Sequence, residues 1–200
     1  MATYSLPTGL VPTTQTFELI TNTKTFQSPL SNAIQTVSRK GSYWKTSMTF
    51  ANLSGEQRND LKALLAKLNG QEHRLALRDF GHVNQGNYVT SNTPFLDQIG
   101  ASNEIYLGNV TPNITDYLKA GDYVLVNGQY HVVTADATSQ PSFRIKLFVA
   151  PPLRDTTTLS TTAYINNPSG TFIVTNNPQW RNQAPYFSSI TIEAVEDVLA

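Results

Sequence analysis

The chain has no cysteine among its 200 residues, which excludes disulfide scaffolds, thiol nucleophiles and thiolate metal sites together. Charge is scarce as well. Asp, Glu, Lys and Arg make up 14% of the chain, against roughly 25% in an average soluble domain. The 14 basic residues balance the 14 acidic ones, so there is no basic excess to bind nucleic acid and no polybasic segment for an anionic membrane. Long apolar runs are missing: nothing approaches the ~20 residues of a membrane span. The N-terminus, MATYSLPTGLVPTTQ, lacks the basic and apolar regions of a signal peptide. The expectation is a protein made in the cytoplasm and used without crossing a membrane on its own.

Catalytic patterns are equally sparse. His73, His82 and His131 stand far apart, with no HExxH-type spacing. There is no G-x-S-x-G elbow, no Walker A loop and no GxGxxG. The carboxylates Asp116, Asp122, Glu193, Glu196 and Asp197 carry no spacing that selects an acid/base pair. No catalytic, cofactor-binding or metal-ligating residue is assigned, and the chain is not expected to be an enzyme.

What the chain does have is alternation. In GSYWKTSMTF, Trp44, Thr46, Met48 and Phe50 share one face of a strand and Tyr43, Lys45, Ser47 and Thr49 the other. TFELITNT, HRLALRDF and YFSSITIEAVED alternate in the same way, the last placing Ile190, Ile192 and Ala194 together. DYVLVNGQYHVV is two alternating runs joined by Asn127-Gly128, a strong hairpin signal. FRIKLFV follows with Phe143, Ile145, Leu147 and Val149 in phase, and PPLRD ends it.

Among these strands lies one helix, predicted over 54–69. Ser54 and Gln57 form a capping box, Leu61, Leu64, Leu65 and Leu68 make one apolar stripe, and Asn69-Gly70 supplies the left-handed stop. The fold class read from this is mainly β: a β-barrel or sandwich packing one amphipathic helix, with a second small β-barrel inserted. Residues 1–15 read as an extended arm, 16–82 and 175–200 as the first domain, and 83–174 as the insertion. Pattern alone also allows one continuous sandwich with a helix.

Two residue groups stand out as contact candidates. Tyr4, Leu6, Leu10 and Val11 are apolar points along the arm, suited to docking on a neighbour. Tyr123 and Tyr130 belong to a tyrosine-rich stretch of the insertion and are expected to face a partner. Exposed aromatics on a β module also suit sugars, so the second functional class is a β-sandwich carbohydrate- or receptor-binding module. Trp44 reads as core, whereas Trp180 falls in the loop NNPQWRNQAPY.

The order YWKTSMTFANLSGEQ, LLAKLNGQEHRLALRDF, GHVNQG, LKAGDYVLVNGQYHVVTAD, PPLR and FSSITIEAVED resembles the distal tail protein family of tailed bacteriophages, over most of residues 14–197. The resemblance implies a virion protein at the distal end of the tail. It implies a hexameric ring that joins the tail tube protein to the hub and tip, or baseplate, and lets DNA pass through its lumen. It further implies an outward place for the inserted barrel, where side fibres or receptor-binding proteins attach. Many members carry a galectin-like domain after the first; here the additional β unit is internal.

Overall fold

The computed structural model describes residues 1–39, 41–101, 103–154, 158–183 and 187–198. Asp155 and Tyr186, at the ends of two segments quoted above, lie outside them. In chain order the elements begin with β1 (Thr3–Ser5), β2 (Thr14–Ile20), β3 (Thr23–Gln27), β4 (Ile34–Ser38) and β5 (Tyr43–Leu53). Helix α1 (Gly55–Leu68) and β6 (Arg74–Leu77) follow. Then come β7 (Phe95–Ile99), β8 (Glu104–Gly108), β9 (Tyr123–Val126), β10 (Gln129–Val133), β11 (Arg144–Ala150) and β12 (Ala163–Tyr164). The chain finishes with β13 (Gly170–Val174), β14 (Arg181–Gln183) and β15 (Phe187–Glu196).

The protein is mainly β, with one helix among the described residues. Its first sheet has seven strands in the order β1-β6-β13-β15-β5-β2, with β14 alongside β15. The first sheet is where alternation does most of its work. Trp44, Thr46, Met48 and Phe50 of β5, Ile190, Ile192 and Ala194 of β15, and Leu75 and Leu77 of β6 are all buried on one face. Strand β15 pairs directly with β5, Ile192 opposite Met48 and Ala194 opposite Thr46. Chain segments about 140 residues apart thus share the centre of one sheet, and everything between them leaves and returns.

Helix α1 covers part of that face. The Ser54 hydroxyl accepts from the Gln57 N–H and the Gln57 side chain accepts from the Ser54 N–H, satisfying two donors that a helix start leaves orphaned. Leu61, Leu64 and Leu68 are buried and Leu65 is half-buried. Asn69, at φ 46°, provides the left-handed stop.

The insertion is a closed barrel. Its six strands run β12-β9-β10-β11-β8-β7, all antiparallel. A bridge between Phe95 and Thr162, reinforced by the Leu96 N–H to the Thr161 carbonyl at 2.8 Å, joins the two outer strands. Asn127 and Gly128, both at positive φ, make the two-residue turn between β9 and β10. Ile105, Leu107, Tyr117, Val124, Ile145 and Leu147 fill the interior.

Three expectations change. Strand β13 pairs with β6 and β15, so residues 170–174 belong to the first sheet and not to the insertion. Residues 1–15 are not a free arm: β1 pairs in parallel with β6, and Leu10 is buried in the chain's own core. Phe143 is not in phase with the buried face of β11; it stands before the strand at φ 60° and is exposed.

Truncating the helix stripe checks this packing. Leu61→Ala or Leu64→Ala is expected to cost about 2–5 kcal/mol in urea unfolding; a loss below ~0.5 kcal/mol would mean that α1 does not seat on the sheet.

Candidate assembly surfaces

Tyr123 and Tyr130 turn inward. Alternation along the β9–β10 hairpin sends Val124, Val126 and Val133 into the barrel, and Tyr123, Leu125, Tyr130 and Val132 out of it toward the first sheet. There they meet Phe17, Trp44 and Phe172. The Phe17 and Trp44 rings stack at 5.0 Å, and Tyr130 meets Phe17 edge-on at 5.4 Å. Each such aromatic pair contributes roughly 0.5–1.5 kcal/mol beyond its buried area. The Tyr123 hydroxyl donates to Asp79 at 3.3 Å, and burial pushes both tyrosine hydroxyls above their ordinary value. The expected partner face is therefore an internal seam, because the hairpin covers the part of the sheet that α1 leaves open.

Polar groups lock the same seam. One Glu196 oxygen accepts from the Tyr130 N–H at 3.0 Å, and the other from the Trp44 N–H at 3.2 Å and from Arg154 at 2.8 Å. The Trp44 indole N–H donates to the Tyr130 carbonyl at 2.7 Å. His131 is buried behind this network, its Nδ1 donating to the Pro151 carbonyl at 2.8 Å. Burial lowers its pKa to about 4.

Two more of the acidic candidates, Asp122 and Asp197, are also structural. Asp122 is buried and accepts from the backbone N–H groups of Gln85, Gly86 and Lys119, which fixes the chain's entry into the barrel. Asp197 pairs with Arg74 at 2.5 Å. Among the described residues no group of three His, Asp or Glu side chains could hold a metal.

The exposed apolar surface lies elsewhere. Strands β3 and β4 form a two-stranded hairpin that pairs with neither sheet, and every residue of both strands is exposed. It continues outward from the β2–β5 pair, whose last rung is Ile20 opposite Tyr43. The Arg39 N–H donates to the Asn22 carbonyl at 2.9 Å and closes its base. Phe26, Leu30, Ile34 and Val37 are all exposed, Leu30 at 98%. An isolated hairpin of this kind is marginal in water.

Sequence reading missed this element, although a signal was present. In TKTFQSPLSNAIQTVS two polar-apolar stretches flank Ser-Pro-Leu-Ser-Asn, a turn composition. The arm residues fare differently from expectation. Tyr4 and Leu6 are half-buried against the core and Tyr4 packs edge-on with His73 at 5.6 Å; only Val11, 60% exposed, points to solvent.

Two further features are open to a neighbour. Among the described residues no strand pairs the outer edge of β2, which carries one charge, Glu18, and no proline. The Gln15 side chain ties its first half to the backbone of Arg78 and Phe80, and the remainder is poorly guarded against strand addition. A groove of about 380 Å³ lies between α1 and the 174–180 loop, lined by Lys62, Leu65, Leu68, Val174, Pro178 and Trp180. The chain matches no protein-family model, and no curated protein matches it in sequence.

Two measurements test the seam. Glu196→Ala removes the shared acceptor of two buried N–H donors and the carboxylate partner of Arg154, and is expected to cost about 3–5 kcal/mol. His131 gives a pH signature. Above pH 6.5 it is neutral in both states; as pH falls toward about 4, only the unfolded chain takes up the proton. Stability should therefore drop by about 3 kcal/mol across that window, and His131→Gln should flatten the slope in denaturant titrations.

Proposed function

We propose that the chain is a structural subunit of a phage tail tip, a distal tail protein whose copies close into a ring, hexameric as the resemblance implies. The observation that carries this reading is the β3–β4 hairpin. A monomer leaves Phe26, Leu30, Ile34 and Val37 in water on a hairpin that pairs with neither sheet and is marginal by itself, whereas an assembled neighbour covers them. The unpaired β2 edge supports the same reading.

A closed ring needs two different patches on each subunit, because its contacts are head-to-tail. The low, balanced charge fits a subunit packed among copies, since little self-repulsion opposes association. It also fits a lumen that lets DNA slide through, because strong phosphate binding would stall transit. Where β2, β5 and β15 pair, the open face of the first sheet has that character: Thr14, Thr16, Ser47, Thr49 and Thr191 lie on it with Glu18, Lys45 and Glu193, and Arg74 of β6 and Arg181 of β14 are on the same face.

In this reading the protein acts in the virion, joining the tail tube protein to hub and tip proteins, after synthesis in the host cytoplasm. The inserted barrel is held rigidly against the ring domain, and its outer side is the attachment surface for side fibres or receptor-binding proteins. The role involves no catalysis, cofactor or membrane. Tyr130 is buried and Tyr123 half-buried against the first sheet, which weakens the sugar-binding reading of the barrel at these two tyrosines.

Because Asn22 and Arg39 are already hydrogen-bonded, residues 23–38 can be replaced by a short Gly-containing turn without disturbing the sheet. That variant is expected to keep its thermal midpoint and to lose self-association in sedimentation velocity. Unchanged assembly would remove the observation on which the reading stands.

A further inference from the structure

The hairpin and the Trp180 groove occupy opposite corners of the same sheet. Ile20 and Tyr43, at the foot of the hairpin, mark the β2 side and the start of β5. The groove lies across β15 from β5, where Thr175 and Asn176 bond to Glu193 and Thr191 and where Arg181 pairs with Ser189. Thr191 in turn stands opposite Thr49, toward the far end of β5. One copy cannot bring its own hairpin to its own groove, but a neighbour displaced along and across the sheet can.

We propose that the hairpin tip of one copy seats in the Trp180 groove of the next, with Leu30 as the inserted side chain and Trp180 as the anchor. This deepens the ring reading and rests on it. Chemistry matches on both sides. The segment from Thr25 to Ser38 contains no charged residue, so it enters the groove without stranding a charge beside Lys62. Leu65, Leu68, Val174 and Trp180 give an apolar floor, and Lys62 and Gln71 give a polar rim.

The groove is at the small end of the range for ligand clefts, enough for a leucine with a flanking Phe26 or Ile34 on its lip. The turn that presents Leu30 is preformed: the Ser28 N–H donates to the Ala33 carbonyl at 2.9 Å, and the Asn32 N–H to the Ser28 carbonyl at 2.9 Å. Less ordering entropy is then lost on docking. Tryptophan is among the residues that most often dominate an interface. The contact joins two different patches, so it propagates head-to-tail and closes when the rotation per copy allows.

The absence of native cysteine makes the test clean. Leu30→Cys and Asn177→Cys are introduced together in the full chain, assembly is followed by native mass spectrometry, and the sample is mildly oxidised. The expected result is a disulfide ladder extending to the size of the assembled species. Each single variant should give no ladder, and Leu30→Asp should raise the assembly midpoint concentration at least tenfold. Assembly without cross-linking and indifferent to Leu30→Asp would overturn the seating while leaving the ring intact. Equal cross-linking by Leu30→Cys alone would mean tip-to-tip contact and overturn it too. A chain monomeric at every concentration would overturn both the seating and the ring, and saturable quenching of Trp180 by soluble oligosaccharides without cross-linking would make the groove a sugar site instead.

Discussion

The carboxylate of Glu196 sits where three parts of the chain converge. It holds the Trp44 N–H at the start of β5, the Tyr130 N–H on the barrel hairpin and the Arg154 guanidinium beyond β11. A buried acid is tolerated only when its oxygens are fully engaged, and here both are. That requirement fixes the barrel's orientation on the sheet. Apolar packing alone allows sliding; three directional bonds to one carboxylate do not. The aromatic cluster of Phe17, Trp44, Tyr123, Tyr130 and Phe172 is then held in one register.

From this constraint follows a division of surfaces. One side of the first sheet is consumed internally, by α1 at one part and by the β9–β10 hairpin at another. What remains outside is the hydroxyl-rich opposite face, the free β2 edge, the groove beside Trp180 and the β3–β4 hairpin. The insertion is thus part of the body of the molecule, and the hairpin is the element that leaves it. The hairpin grows directly out of β2 and β5, so the rigidity of the seam is passed to an element that is exposed along both strands.

Legibility in the sequence tracked locality. The helix could be read to its caps because Ser54, Gln57, the leucine stripe and Asn69 act within a few residues of one another. The β9–β10 turn was readable for the same reason, and so was the buried face of β5. Tyr123 and Tyr130 misled because period-two alternation says that two faces differ, not which of two cores each one meets. Nothing local marks Arg154 and Glu196 as partners 42 residues apart. The parallel pairing of β1 with β6 was hidden by prolines and glycine that gave its surroundings the texture of a loose arm. The β3–β4 hairpin went unread because both of its faces are exposed, so no buried stripe announces it.

Native mass spectrometry of the intact chain over a range of concentrations tests the central claim most directly. The account predicts one closed oligomer of defined size, formed cooperatively and without an open-ended series of larger species. A monomer at every concentration, with the hairpin still in place, would contradict it.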